Sequence, residues 1–526
     1  KKNTSRIPGK MTFEESELSN PHSIVNGFAT YFSSVFKSDL TSTPGTISSS
    51  DNKYSANKVS SSTTDKNITD CGINVPVLHQ FVIIESDIIK ASRRIRPNFT
   101  MGCDFIPAFF VRDCISCIVS PLCHLFNLIV KRGVFPSLWK VAKVCPVFKS
   151  GSNFNIKNYR PVAIIPNFAK IFETILFDVV YNHVSQQITT FQHGFVKGRS
   201  TSTNLCQFTH LVSSALDKRQ QVDVIYMDLS KAFDKVDHNI MLRKLSLSGI
   251  CDQLITLFRS ILIGQKQYVE YCGHRSFVFE CNSGVVQGSN LGPLLFTIYI
   301  NDLVKCINLD CYIFLYADDV KLVKIVNNVT DCIDLQDNIN NILEWCGRNL
   351  LSINKEKCRI MTYSRIHSNI IFDYKMLDVS LIRCYEFKDL GVVMDSSMSF
   401  VSHISYMTNK AMKMLGFVVR NTTEFHNTDC ILLLFYSFVR TVLEYCCIVW
   451  NPHYNVHVAT IESVQRKLCK YVYFKKHGVY PVRNYPQEEL LDELNLTSLC
   501  NRRKYHSVMF LFKILNNIIL KSRSFL

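Results

Sequence analysis

Apolar and polar positions are spaced in three ways along this chain, and each predicts a different element. Residues 83–94 and 109–131 place apolar side chains three and four apart, which predicts amphipathic helices. A shorter pattern of that kind, Phe28, Tyr31, Phe32, Val35 and Phe36, predicts a helical segment within residues 12–37. Residues 139–148 alternate and run into Lys149-Ser150-Gly151-Ser152, a strand ending in a turn. Short continuous apolar runs at 222–227, 312–316 and 320–323 have the composition of buried strands, whereas 161–181 and 294–303 read as apolar helices. Leu229, Ala232, Phe233 and Val236 are spaced as the start of another helix, and from about Ser396 helical spacing returns with basic faces. Residues 38–70 are dominated by Ser, Thr, Asn and Asp and read as a linker. No repeat at solenoid or propeller period is present in the sequence.

With 526 residues, 47% hydrophobic and 19% charged, the chain has enough apolar content for two to four domains. That balance excludes a wholly disordered, collagen-like or coiled-coil protein. Lys and Arg number 59 against 43 Asp and Glu, a formal net charge of +16, which makes a polyanion the expected partner, nucleic acid before anionic membrane. The 21 cysteines are an odd number and include one Cys-x-x-Cys, Cys114 and Cys117, without a second pair at zinc-finger spacing, so a reduced, intracellular chain is expected. Cys114, Cys117, Cys123 and His124 fall in an apolar helical run, where core packing is a better reading than metal binding. Ser116, Ser120, Pro121, His124 and Asn127 interrupt this run, so no membrane span is expected. Lys1-Lys2-Asn3-Thr4 shows neither an initiator Met nor a signal or transit pattern, as expected of part of a longer polypeptide.

Chemistry concentrates at two strand ends. The run 222–227 stops at Asp228, and 312–316 leads through Ala317-Asp318-Asp319 into 320–323, a hairpin with acids at its tip. Adjacent carboxylates between buried strands are costly without a positive partner, and a divalent cation is the usual one. Two acid-tipped strand ends therefore suggest a two-metal site suited to phosphoryl transfer on a nucleotide or polynucleotide. Taken alone, Asp228 reads as a helix N-cap and Asp318-Asp319 as an Asx turn. The glycine-spaced loop from Ser283 to Pro293 tips the balance, because its glycines let backbone approach a flat ligand.

Asp-Leu-Ser-Lys-Ala-Phe-Asp at 228–234, Gly-x-x-Gln-Gly-Ser-x-Leu-Gly-Pro at 284–293 and Tyr-Ala-Asp-Asp at 316–319 resemble, in this order, the motifs of reverse transcriptases. Asn158-Tyr159-Arg160-Pro161 and Gln192-His193-Gly194-Phe195-Val196-Lys197-Gly198-Arg199-Ser200 narrow the resemblance to non-LTR retrotransposons, especially the jockey-like elements of insects. Gly102 to Pro107 and Phe135 to Lys140 resemble the extension before the fingers, Trp345, Asn349, Asn354 and Lys357 the palm's fourth motif, and Lys388-Asp389-Leu390-Gly391-Val392 the primer-contacting hairpin. Further matches at 443–445, 450–452, 462–466 and 501–503 carry the resemblance from about Val77 to the end of the chain.

The resemblance implies an α/β (α+β) right-hand polymerase. Residues 1–37 would form a helical segment, 38–75 the linker, 76–130 a helical N-terminal extension, 131–395 fingers and palm around an antiparallel sheet, and 396–526 a helical thumb and C-terminal region. It further implies an RNA-directed DNA polymerase using two Mg²⁺ ions, with Mn²⁺ as a substitute, held by Asp228 and Asp318 with Asp319 beside them. Lys149 and Arg160 would hold the incoming dNTP, Gln287 and Gly288 would pack on the new base pair, and Phe233 would exclude a 2′-hydroxyl. An ordinary core Phe is the alternative for Phe233. Lys357 would donate a proton to pyrophosphate, although a surface Lys reads the same way. Arg199, Lys388, Gly391, Arg466 and Lys467 would meet nucleic acid, together with Lys470, Lys475-Lys476 and Arg502-Arg503-Lys504, although any one basic cluster also reads as a solvated helix face.

The implied partners are an RNA template, a DNA primer or nicked target, and dNTPs, in a nuclear and cytoplasmic ribonucleoprotein. An endonuclease would come from upstream sequence or in trans, because residues 1–75 are too short and polar to hold one. Three positions depart from the family pattern: Val286 stands where most members have Pro, Asn290 where an apolar residue is usual, and Val196 where Arg is common. The alternative function is a catalytically inactive or domesticated RNA-binding relative. A group II intron maturase would need a further basic RNA-binding domain after the thumb.

Overall fold

The run 222–227 becomes the strand Gln221–Asp228, buried along nearly its whole length. Its side chains alternate, so Val222, Val224 and Tyr226 join one hydrophobic cluster while Ile225 and Met227 face the other way. The computed structural model describes residues 7–36, 76–366 and 368–519. The chain forms two units that interleave in sequence: Lys1–Ile188 with Lys231–Ile300 and Asn349–Leu351, and Thr189–Ser230 with Asn301–Arg348 and Ser352–Leu526.

The second unit is built on a five-stranded sheet in the order Ile382–Arg383, Arg359–Tyr363, Gln221–Asp228, Asp319–Val326, Tyr312–Tyr316. All pairings are antiparallel except that of Ile382–Arg383 with its neighbour. Helix Thr201–Asp217 starts at a capping box, Ser200 Oγ accepting from Thr203 N while Thr203 Oγ1 accepts from Ser200 N. It lays Leu205, Phe208 and Val212 on Val224, Tyr226 and Phe314 of the sheet. Helices Val401–Asn421, Thr428–Phe435, Asn455–His477 and Leu499–Leu515 contribute to the same core through Ile404, Phe435, Val464 and Leu499. The separate helical C-terminal region expected from the sequence is helical, and its core is continuous with that of the acid-bearing sheet.

The first unit carries its own sheet, ordered Tyr159–Ile164, Val141–Phe148, Gln265–Tyr271, His274–Arg275, with Phe279–Cys281 also paired to Gln265–Tyr271. Helix Pro21–Ser34, capped by Asn20, sets Phe28 and Phe32 in one cluster with Val144, Tyr159 and Val269 of this sheet. Its further helices include Glu85–Arg93, Ile115–Arg132, Asn167–Val184, His238–Leu247, Asp252–Leu262 and Gly292–Ile300.

Several expectations change. Only part of 12–37 is helical, since Met11–Phe13 and Ser16–Leu18 form a hairpin whose turn residues Glu14 and Glu15 have positive φ. Residues 161–164 are strand, not helix; the β-branched Val162 and Ile164 suit it, and Pro166 stands at the N-cap of the helix that follows. Residues 229–237 form a turn through Lys231 at φ 49°, and helix begins only at His238, capped by Asp237. The Cys-x-x-Cys is not core: Cys117 is exposed, and Cys114 and Cys123 are partly buried. Polar interruptions notwithstanding, Ile115–Arg132 is long and apolar enough to cross a bilayer by length and composition, and it turns Val119, Leu122, Phe126, Ile129 and Val130 into the protein. The 38–75 linker lies outside the described residues.

Candidate active site

Asp228 ends its strand directly opposite Asp319, the first residue of the neighbouring antiparallel strand. Asp318 occupies the turn between them and Tyr316, and its carbonyl accepts the N–H of Leu229 at 3.3 Å. Ala317 makes this turn at φ 55°, a conformation that an L-residue holds only when its surroundings impose it. Gln192 supplies the constraint: buried to 1% exposure, its Oε1 accepts the N–H groups of Ala317 at 3.0 Å and Gly194 at 2.8 Å. Gly194 is required here, because a Cβ would lie 2.5 Å from Ala317 N. The segment before it pairs with Leu315 through His193 N to Leu315 O at 2.9 Å and Leu315 N to Phe191 O at 3.0 Å.

Three carboxylates thus crowd one sheet end. The pKa of Asp319 is pushed up to about 7, first by packing of the protein around it, then by the charges of Asp318, Asp228 and Asp389 against the opposing pull of Lys321. Lys357 Nζ meets Asp228 Oδ2 at 2.7 Å, and Asn354 N donates to Asp228 O at 2.8 Å. A cavity of about 360 Å³ opens beside Asp228, Asp319 and Lys357, with Lys388 and Leu390 on its lining. Hard carboxylate oxygens are the donors that Mg²⁺ takes, and it commonly uses one or two of them together with phosphates of the substrate. Among the described residues no group of three or more His, Cys, Asp or Glu is gathered closely enough to enclose an ion by itself.

Lys388 and Gly391 lie on the hairpin Glu386–Asp389 and Val392–Asp395, with Lys388 Nζ 2.9 Å from Tyr406 Oη. Arg199 is partly buried, and its Nη1 donates to the carbonyls of Thr189 at 2.6 Å and Gln192 at 2.5 Å, bracing the loop behind the acidic turn. Arg466 is partly buried and donates to Tyr485 O at 3.2 Å, while Lys467 is exposed. Arg502 is partly exposed and ion-paired with Glu444, whereas Arg503 is fully buried with Nε on Asn451 Oδ1 at 2.9 Å and so packs inside the protein instead of lining a duplex track.

All five residues assigned to the nucleotide belong to the first unit. Lys149 and Arg160 are exposed, the second on strand Tyr159–Ile164. Phe233 is half-buried in the turn after Asp228 and stacks on Phe296, ring centroids 4.3 Å apart. Gln287 donates to Asp234 Oδ1 at 2.6 Å and accepts Ala163 N at 2.7 Å through its carbonyl. Gly288 has φ 119°, and a Cβ there would fall 2.3 Å from Ala163 O. Asp234, absent from the expected site, is buried; burial pushes its pKa to about 6, opposed by the Gln287 bond and Lys231. Asn290 is integrated, its N–H on Glu173 Oε2 at 2.9 Å and its amide on Thr174 Oγ1 at 2.7 Å.

The family model described as reverse transcriptase (RNA-dependent DNA polymerase) matches residues 147–419, a span holding Asp228, Asp318, Asp319, Lys357 and all five residues assigned to the nucleotide. The chain belongs to the reverse transcriptase family. Within this reverse transcriptase, 364 residues are 28% identical to the RNA-directed DNA polymerase from mobile element jockey of Drosophila funebris, covering 66% of this chain and 39% of that protein. The jockey protein of Drosophila melanogaster is 26% identical over 365 residues, and a probable RNA-directed DNA polymerase from transposon X-element of the same species 24% over 366, each covering 66% of this chain and 39% of the relative. The chain thus spans about two fifths of the length of these curated relatives. An apo telomerase structure from Candida tropicalis, truncated from its C-terminal domain, aligns with TM-score 0.34 and 13% identity over 52% of this chain and 57% of that one.

Proposed function

We propose that this reverse transcriptase of the non-LTR retrotransposon family copies RNA into DNA from a primer 3′-hydroxyl. The observation that carries the reading is the register of Asp228 against Asp319, with Asp318 in the turn beside them. This concentrates negative charge at one sheet end, where a protein without a cationic ligand would gain nothing from it. In this reading the acid-bearing sheet is the palm, the sheet with Arg160 belongs to the fingers, and the helices from Val401 onward are the thumb. Two Mg²⁺ ions, or Mn²⁺, held by Asp228 and Asp318 with Asp319 alongside, would when bound offset the charge of the phosphates.

The chain's own residues do the rest. Arg160 and Lys149 supply cationic donors for triphosphate oxygens, Arg in bidentate geometry. Phe233, fixed by stacking on Phe296, presents a rigid ring edge against a ribose 2′-hydroxyl. Gln287, anchored by Asp234, and Gly288, which brings bare backbone forward, form a flat surface for the new base pair. Lys357 stands beside Asp228 as a proton donor for the leaving pyrophosphate. Lys388, Gly391 and Lys467 are assigned to the primer–template. The expected setting is an intracellular ribonucleoprotein, with target nicking supplied by other sequence or another protein. The test is Mg²⁺-dependent extension of a DNA primer on an RNA template, with ribonucleotides as competitors. Incorporation of dNTPs alone supports the reading, and RNA binding without extension favours an inactive relative.

A further inference from the structure

Strand Asp319–Val326, an inner strand of its sheet, consists of Val, Leu and Ile apart from its leading acid and two lysines, of which Lys321 is 3% exposed. An apolar side chain would serve the strand at no desolvation cost, so the charge has another purpose. Lys321 Nζ meets Asp389 Oδ2 at 2.7 Å and Asn204 Oδ1 at 2.6 Å, and stands 4.8 Å from the centre of the Phe208 ring. Both members of the ion pair are at most 5% exposed.

The three partners belong to three elements. Lys321 is two residues from Asp319 on the same strand face. Asp389 is the last residue of its strand before the turn Leu390-Gly391, where both φ angles are positive, 43° and 90°. Asn204 comes from helix Thr201–Asp217, and its Nδ2 donates 3.2 Å to the carbonyl of Leu315 on the strand that enters the acidic turn. The far side of the hairpin turn is tied as well: Tyr445 Oη donates to Leu390 O at 2.7 Å and lies 3.1 Å from Thr201 Oγ1 on the same helix. Lys321 and Asp389 line the same cavity as Asp228, Asp319 and Leu390.

We propose that Lys321, with Asn204 and Asp389, is a positioning strut that fixes the hairpin 386–395 at a set distance from the acid-bearing strand and so sets the width of the cavity between them. Resting on the polymerase reading, the strut holds the terminal nucleoside of the strand being extended in line with the aspartates. Lys321 touches no substrate in this role; it acts through the hairpin. A buried ion pair of this kind adds little net stability over an apolar pair, so its removal separates positioning from folding.

The test replaces the pair by K321M/D389L, which leaves no unpaired charge, and compares it with the single variant K321M. Two readouts are taken: steady-state extension with the primer–template and dNTP varied separately, and amide hydrogen exchange of Val392 to Asp395 against that of Val320 to Val326. The strut predicts a loss of about 100-fold in kcat/KM for primer–template, because a shift near 1 Å at a reacting end costs that much, with KM for dNTP unchanged. It also predicts faster exchange in 392–395 while 320–326 stay protected. Wild-type kcat/KM for primer–template and wild-type hairpin exchange in the double variant would overturn the strut. A wild-type protein that extends no primer, with hairpin protection still lost in K321M/D389L, would overturn the polymerase reading and leave the mechanical coupling standing.

Discussion

Gln192 and Ala317 are joined by a single buried hydrogen bond, side-chain Oε1 to backbone N–H at 3.0 Å, that holds the acidic turn in a left-handed conformation. Gln192→Leu keeps the volume and strands the N–H groups of Ala317 and Gly194, at a cost of about 1–3 kcal/mol. Turnover is expected to fall far more than folding, since the turn carries Asp318. Denaturant melts beside primer extension check this; equal losses in stability and rate would refute a positioning role.

Lys357 and Asp228 are within 2.7 Å, and with side chains 52% and 25% exposed their pairing contributes little to stability. A divalent ion at Asp228 competes with this lysine. Lys357→Met should therefore leave the melt unchanged, tighten Mn²⁺ binding followed by titration calorimetry, and lower kcat through loss of the proton donor. Weaker Mn²⁺ binding in the variant would contradict the competition.

Glu173 is buried beneath the loop that carries Gln287, accepts Asn290 N, and has its pKa pushed up to about 7 from 4.5 by burial. The folded protein then holds a proton that the unfolded chain has released, so stability falls as pH rises from about 4.5 to about 7 and is level above that. The slope is about 1.4 kcal/mol per pH unit for one group. Asp234 and Asp319, raised to about 6 and about 7, slope the curve the same way over much of this range, so Glu173→Gln should lower the slope by one group's share, measured by urea melts from pH 4.5 to pH 8; an unchanged slope would show that Glu173 makes no contribution.

Phe233→Ala removes the ring that stacks on Phe296. Ribonucleotide incorporation should rise relative to deoxyribonucleotide by at least about tenfold, a discrimination of the size that steric pockets supply. Single-turnover incorporation of matched dNTP and NTP measures it, and an unchanged ratio would return Phe233 to an ordinary core role.

What the sequence made legible was local. The apolar runs at 222–227 and 312–323 read as strands because both faces are buried, and their terminal acids broke the run visibly. The residues 229–237 misled because Leu229, Ala232 and Val236 are buried at helical spacing while Lys231 takes a positive φ that stops the helix. Arg502 and Arg503 looked like a basic face, and their partners Glu444, Asn451 and Glu462 are dozens of residues away. The polar groups that hold the site, Gln192, Asn204, Asp234, Lys321 and Asp389, likewise find partners far along the chain. One signal was available: a lysine inside the buried run Val320-Lys321-Leu322-Val323 demands a counter-charge.

The central claim is that Asp228 and Asp318 hold the metal for nucleotide addition. Single-nucleotide incorporation by preformed protein–primer–RNA complex, with Asp318→Asn compared at equal bound primer–template, tests it most directly. The account predicts Mg²⁺-dependent addition of one dNTP by the wild type and a loss of at least about 1,000-fold in the variant with binding unchanged. Wild-type rates in Asp318→Asn, or addition that persists in excess chelator, would contradict it.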